Sequence, residues 1–152
     1  MKNVLLIEDE AHKRDELAEY LEEFVGPDMS LDVVDSVRDA VICVSKKNFE
    51  LIILDMALPT FTTDGGKVDG GLDQSLGGVE VLRTLRSLSK KANVIIVTQY
   101  PDITLDGKRV RLKAAQSALA RKYGQKIIGA VLYKYKSSMN RSKLKSVLDT
   151  VW

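Results

Sequence analysis

Three runs of four residues, Val4-Leu5-Leu6-Ile7, Leu51-Ile52-Ile53-Leu54 and Val94-Ile95-Ile96-Val97, are apolar throughout and do not alternate. A strand with one face in water alternates apolar and polar residues, whereas an unbroken run suits a strand covered on both faces. The stretches between these runs carry helical spacing instead. Leu17, Leu21 and Phe24 recur at intervals of three and four, and Gly26-Pro27 stops that helix. Val37, Val41 and Val44 follow Ser36, a suitable N-cap. Val79, Leu82 and Leu85 mark a third helix, and residues 110–123 a fourth with Gly124 as its C-cap. Leu144, Val147, Leu148 and Val151 stripe a fifth. With short apolar segments at 31–34 and 127–133, the pattern is five strands alternating with five helices. Buried parallel strands joined by right-handed helical crossovers satisfy it most economically, so the expected class is α/β.

The length of 152 residues suits one domain with insertions, spanning 1–152. Residues 60–76, rich in Gly, Asp and Thr, form the clearest insertion, and an extended segment follows at about 99–110. No apolar run approaches the roughly 20 residues that cross a bilayer, so no membrane role is expected. The first residues turn acidic at Glu8 after four apolar ones, which does not read as a signal peptide. A lone Cys43 forms no internal disulfide and fits a cytoplasmic location. Residues 107–152 hold twelve Lys or Arg against one acid, and residues 1–106 eleven against twenty, so charges of +11 and −9 sum to the net +2. The acidic part favours cations and the basic part anionic partners, although solvated lysines on helices explain the latter equally well.

In an open parallel sheet, ligands bind beyond the carboxyl ends of the strands, where the strand order reverses. Strand one ends in Glu8-Asp9, strand three in Asp55 and strand four in Thr98. If strands one and three are neighbours, three carboxylates converge. Like charges about 4 Å apart repel by roughly 4 kcal/mol at an effective dielectric of 20. Such a cluster takes up a proton or a cation, and an all-oxygen, partly hydrated site suits Mg²⁺ or Mn²⁺. A divalent cation in turn permits phosphoryl chemistry at an exposed carboxylate, for which Asp55 is best placed.

These stretches, Val4-Leu5-Leu6-Ile7-Glu8-Asp9-Glu10, Leu54-Asp55-Met56-Ala57-Leu58-Pro59, Gly77-Gly78-Val79-Glu80-Val81-Leu82 and Val94-Ile95-Ile96-Val97-Thr98, resemble the receiver domains of two-component response regulators. The resemblance implies a flavodoxin-like, doubly wound five-stranded sheet in the order 2-1-3-4-5. It implies Asp55 as phosphoacceptor, with Mg²⁺ held by Asp9, Asp55 and the Ala57 backbone carbonyl, and by Glu8 directly or through water. Thr98 would be the switch hydroxyl, and a lysine near the end of strand five, Lys134 or alternatively Lys136, would clamp the phosphoryl group. The implied partners are a histidine kinase, phosphotransfer protein or small phosphodonor upstream and a protein target downstream, met through the surface of helix four, strand five and helix five. Weak self-phosphatase activity would accompany them. Whether the chain pairs with itself through that surface, or is excised from a longer protein, is left open.

The chain departs from the family in several places. Neither Lys134 nor Lys136 precedes a proline, Val131 stands where an aromatic is usual, and the long Gln99 follows Thr98. Three functions therefore compete: a phosphorylation switch, a receiver-like interaction module independent of phosphate, and nucleic-acid binding by the basic half, which ranks last because no DNA-reading motif follows residue 124. An aspartate-nucleophile phosphatase of another fold is rejected, because Ala11 and Ala57 stand where the second aspartate would be needed. His12 reads as solvent-facing and Cys43 as core.

Overall fold

The computed structural model describes residues 1–58 and 77–152. Five strands form one parallel sheet: β1 (Lys2–Ile7), β2 (Met29–Val34), β3 (Leu51–Leu54), β4 (Asn93–Thr98) and β7 (Lys126–Leu132), in the order β2-β1-β3-β4-β7. β7 is the fifth strand expected from the sequence, so the order 2-1-3-4-5 holds. The order reverses between β1 and β3, whose pairing runs from Val4↔Leu51 to Ile7↔Leu54 and brings Glu8 and Asp55 out at the same edge.

The unbroken apolar runs now have their reason. Leu5, Ile7, Ile52, Leu54, Val94 and Ile96 pack on one side of the sheet in a core shared with α2 (Val37–Lys46), α3 (Gly77–Ser87) and α4 (Leu112–Tyr123). Val4, Leu6, Leu51, Ile53, Ile95 and Val97 pack on the other, against Leu17 and Leu21 of α1 (Ala11–Val25) and Leu144 and Leu148 of α5 (Met139–Leu148). Caps fall where the composition placed them. Ser36 Oγ accepts from the Asp39 N–H at 3.1 Å, and Gly124 adopts the left-handed conformation that closes α4.

The segment after β4 differs from the expected plain extension into a helix at 110. It folds as an antiparallel hairpin of β5 (Asp102–Leu105) and β6 (Lys108–Arg111), and α4 starts only at Leu112. Asp106 and Gly107 turn it with φ of 51° and 78°, the positive values that a tight two-residue turn demands. Asp-Gly between Leu105 and Lys108 is a strong hairpin signal that the helical reading of 110–123 obscured. Ile103 is buried in the core, so the hairpin is anchored to the domain. The expected insertion at 60–76 and Pro59 lie outside the described residues.

Candidate metal and phosphoryl site

Glu8, Asp9 and Asp55 leave β1 and β3 side by side because those strands end in register. One carboxylate oxygen from each lies within 4.8 Å of the others. Glu8 and Asp55 are buried, at 1% and 6% exposure, while Asp9 is open to solvent. The three line a polar cleft of about 290 Å³ with Glu10, Ala57, Gln99 and Tyr100. A larger hollow of about 690 Å³ lies at the opposite, amino-terminal end of the sheet beside Asn93 and Lys126, with no comparable group of acids among its lining residues.

The neighbourhood of Asp55 is tightly specified. Its Oδ1 accepts the Ala57 N–H at 3.1 Å, which fixes the carboxylate plane. α3 begins directly above: a Cβ on Gly78 would stand 2.8 Å from the Asp55 carbonyl oxygen and from Met56 Cα, so only glycine allows the helix this approach. The Gly78 N–H then donates to the Met56 carbonyl at 3.0 Å.

The electrostatics are those of a crowded acidic pocket. Burial, and then the neighbouring Asp55 carboxylate, push the Glu8 carboxyl from its ordinary 4.5 up to about 8, against the opposing pull of Lys13. Burial likewise raises Asp55, with Lys13 and the Ala57 N–H opposing. The second Glu8 oxygen, Oε2, accepts the Glu10 N–H at 3.1 Å. Three carboxylates that bring oxygen donors within 4.8 Å of one another, one of them open to solvent, fit a hard divalent cation such as Mg²⁺.

Lys13 is the residue that the sequence reading passed over. It projects from the first turn of α1 with its side chain 1% exposed. Its Nζ lies 2.5 Å from Glu8 Oε1 and 3.6 Å from Asp55 Oδ2, and it donates to the Val97 carbonyl at 2.9 Å. The structure does not bring the expected strand-end lysines here. Lys134 and Lys136 are exposed, and among the described residues neither is ion-paired to Asp55. Leu132, expected on a buried face, is only partly buried, whereas Val131 and Tyr133 flanking it are buried.

Thr98 is fully buried at the end of β4. Its Oγ1 accepts the Tyr100 N–H at 3.2 Å, and among the described hydrogen bonds none joins it to Asp55. Gln99 reaches across the cleft that it lines and donates to Glu10 Oε2 at 2.6 Å. His12 is exposed, 3.4 Å from Glu16 and tilted against Tyr135, while Cys43 is half-buried and packs against the core.

Comparison with known proteins agrees with this architecture. The family model for the response regulator receiver domain matches residues 4–126. The Detocs response regulatory protein DtcB of Vibrio alginolyticus is 32% identical over 136 residues, covering 89% of this chain and 91% of the relative. An uncharacterised protein, y4jR of Sinorhizobium fredii (strain NBRC 101917 / NGR234), is 28% identical over 130 residues, with 85% of each chain covered. Among solved structures, the response regulator TrrA of Thermotoga maritima, in complex with Mg²⁺ and BeF, superposes with a TM-score of 0.59 at 22% identity, covering 97% of this chain and 99% of that one. The response regulator domain of Thermotoga maritima CheB gives 0.64 at 19%, covering 99% and 92%. This chain belongs to the response regulator receiver domain family.

Proposed function

We propose that this receiver domain accepts a phosphoryl group on Asp55, with a divalent cation held by Glu8, Asp9, Asp55 and the Ala57 carbonyl. The observation that carries this reading is the placement of Asp55: a nearly buried carboxylate at the floor of an acidic cleft, its plane fixed by the Ala57 N–H. An Asp55 oxygen forms the new bond to phosphorus while the bond to the donor breaks, the electron pair leaving with the donor. The cation, when bound, neutralises the charge that develops on the transferring oxygens. Glu8 and Asp9 provide its negative surroundings, and Asp55 supplies both a ligand oxygen and the nucleophile.

The donor is a histidine kinase, a phosphotransfer protein or a small phosphodonor, and the downstream target is a protein. Charge added at Asp55 acts on Thr98 at the end of β4 and so on the adjoining surface of α4, β7 and α5. Slow self-hydrolysis of the acyl phosphate completes the cycle. The test is intact mass after incubation with Mg²⁺ and a small phosphodonor. One phosphoryl adduct is expected, absent without Mg²⁺ and absent from Asp55→Asn. A second reading, a phosphate-independent interaction module, is favoured by the Gln99 to Glu10 bridge across the cleft. It predicts no adduct under the same conditions.

A further inference from the structure

Against the acids of the cleft lies Lys13, the one buried cationic side chain among the described residues, and it comes from a helix. With Leu17 and Leu21, Lys13 makes up the buried face of α1. Burying a lysine is costly unless its charge is paired and its protons are accepted, and here the amine faces the ends of three strands. The Val97 carbonyl at the end of β4 takes one proton at 2.9 Å, and Glu8, beyond β1, lies at 2.5 Å. The third direction faces Asp55 Oδ2, beyond β3, at 3.6 Å, which is longer than a hydrogen bond and leaves that donor uncommitted.

The end of the last strand meanwhile carries a different side chain. β4 and β7 pair as Thr98↔Leu132, and the next N–H, from Tyr133, returns to the Thr98 carbonyl at 2.7 Å. The Tyr133 ring is 1% exposed, and its hydroxyl donates to Glu16 Oε2 on α1 at 2.6 Å. The Lys13 amine lies 5.6 Å from the centre of that ring. Tyr133 thus fills the space at the strand end and ties β7 to α1, the helix that delivers the lysine. The lysines just beyond that strand, Lys134 and Lys136, face solvent.

We propose that Lys13 is the phosphoryl-binding lysine of this domain, delivered from the first turn of α1 rather than from the end of the last strand. This assignment rests on the reading of Asp55 as acceptor. A phosphoryl group there adds roughly two negative charges, and the uncommitted donor of Lys13 points to where its oxygens arrive. Because the same amine holds the carbonyl of Val97, a movement of Lys13 onto the phosphoryl group is transmitted to the peptide that precedes Thr98.

The test uses beryllofluoride with Mg²⁺ as a stand-in for the acyl phosphate, its binding followed by fluorine NMR on the full chain. Lys13→Met should weaken binding by at least about tenfold, the loss expected for one charge-assisted hydrogen bond, whereas Lys134→Met and Lys136→Met should bind as the parent does. The double variant Lys13→Met with Tyr133→Lys, which returns a lysine to the strand end, should recover binding. Full binding by Lys13→Met, or the loss appearing in Lys134→Met or Lys136→Met instead, would overturn the assignment while leaving Asp55 as acceptor. Failure of the parent protein to bind would remove both. Should Lys13→Met not fold, the side-chain nitrogen resonance of Lys13 in the parent decides: it must shift when beryllofluoride is added, and an unmoved resonance overturns the proposal.

Discussion

Single residues of the site differ in how plainly the sequence announces them. Glu8, Asp9 and Asp55 were legible because acids directly after an unbroken apolar run stand at strand ends, and parallel strands bring such ends together. Lys13 was not, since a lysine between His12 and Arg14 reads as part of a solvated charge cluster. The signal was nevertheless present: Lys13 stands four residues before Leu17 and eight before Leu21, on the apolar stripe of its helix. Glu8 holds its proton more tightly folded than unfolded, so its contribution to stability is complete below its ordinary 4.5 and lost as pH rises through about 8. Thermal unfolding of the metal-free protein across that window should show the decline, and added Mg²⁺ should reduce it most at the upper end. Tyr133→Phe should lower stability by about 1–2 kcal/mol in urea unfolding, because it removes a hydrogen bond to the Glu16 carboxylate, which is partly buried.

Among the elements, the five strands of the parallel sheet and the five helices were all legible in the sequence, with the fourth helix starting at Leu112 rather than 110. The hairpin of β5 and β6 escaped because its strands are four residues each: Asp102-Ile103-Thr104-Leu105 alternates over too short a span to stand out, β6 has Val110 as its one apolar residue, and only Ile103 of the two strands is buried. Its turn is testable. Gly107→Ala places a Cβ at φ 78° and should cost about 1 kcal/mol, measured by equilibrium unfolding. At the junction of β3 and α3 the constraint is steric. Gly78→Ala should destabilise by about 1–3 kcal/mol and weaken Mg²⁺ binding, because the added methyl must push α3 away from the Asp55 backbone. A variant as stable as its parent, with unchanged Mg²⁺ affinity, would show that the helix yields without disturbing the acceptor.

For the whole molecule, the fold places charge where its topology places strand ends. The sheet reverses order between β1 and β3, and the acids of the first half meet at that point. The lysines and arginines of the second half are carried mainly on exposed positions of β6, α4 and α5. Lys13 is the exception, a cation of the acidic half folded into the acidic cleft. The order of strands was legible from the resemblance, but which lysine meets Asp55 was not, since that depends on how α1 packs over the sheet rather than on any strand-end motif. The proposed chemistry of the whole molecule turns on one carboxylate, that of Asp55. Its most direct test is to treat the protein with a small phosphodonor and Mg²⁺, reduce it with borohydride, and sequence the peptides by mass spectrometry. Reduction of an aspartyl phosphate leaves homoserine, and the account predicts homoserine at position 55 and at no other aspartate. An unreduced Asp55, with the phosphoryl group elsewhere or absent, would contradict it.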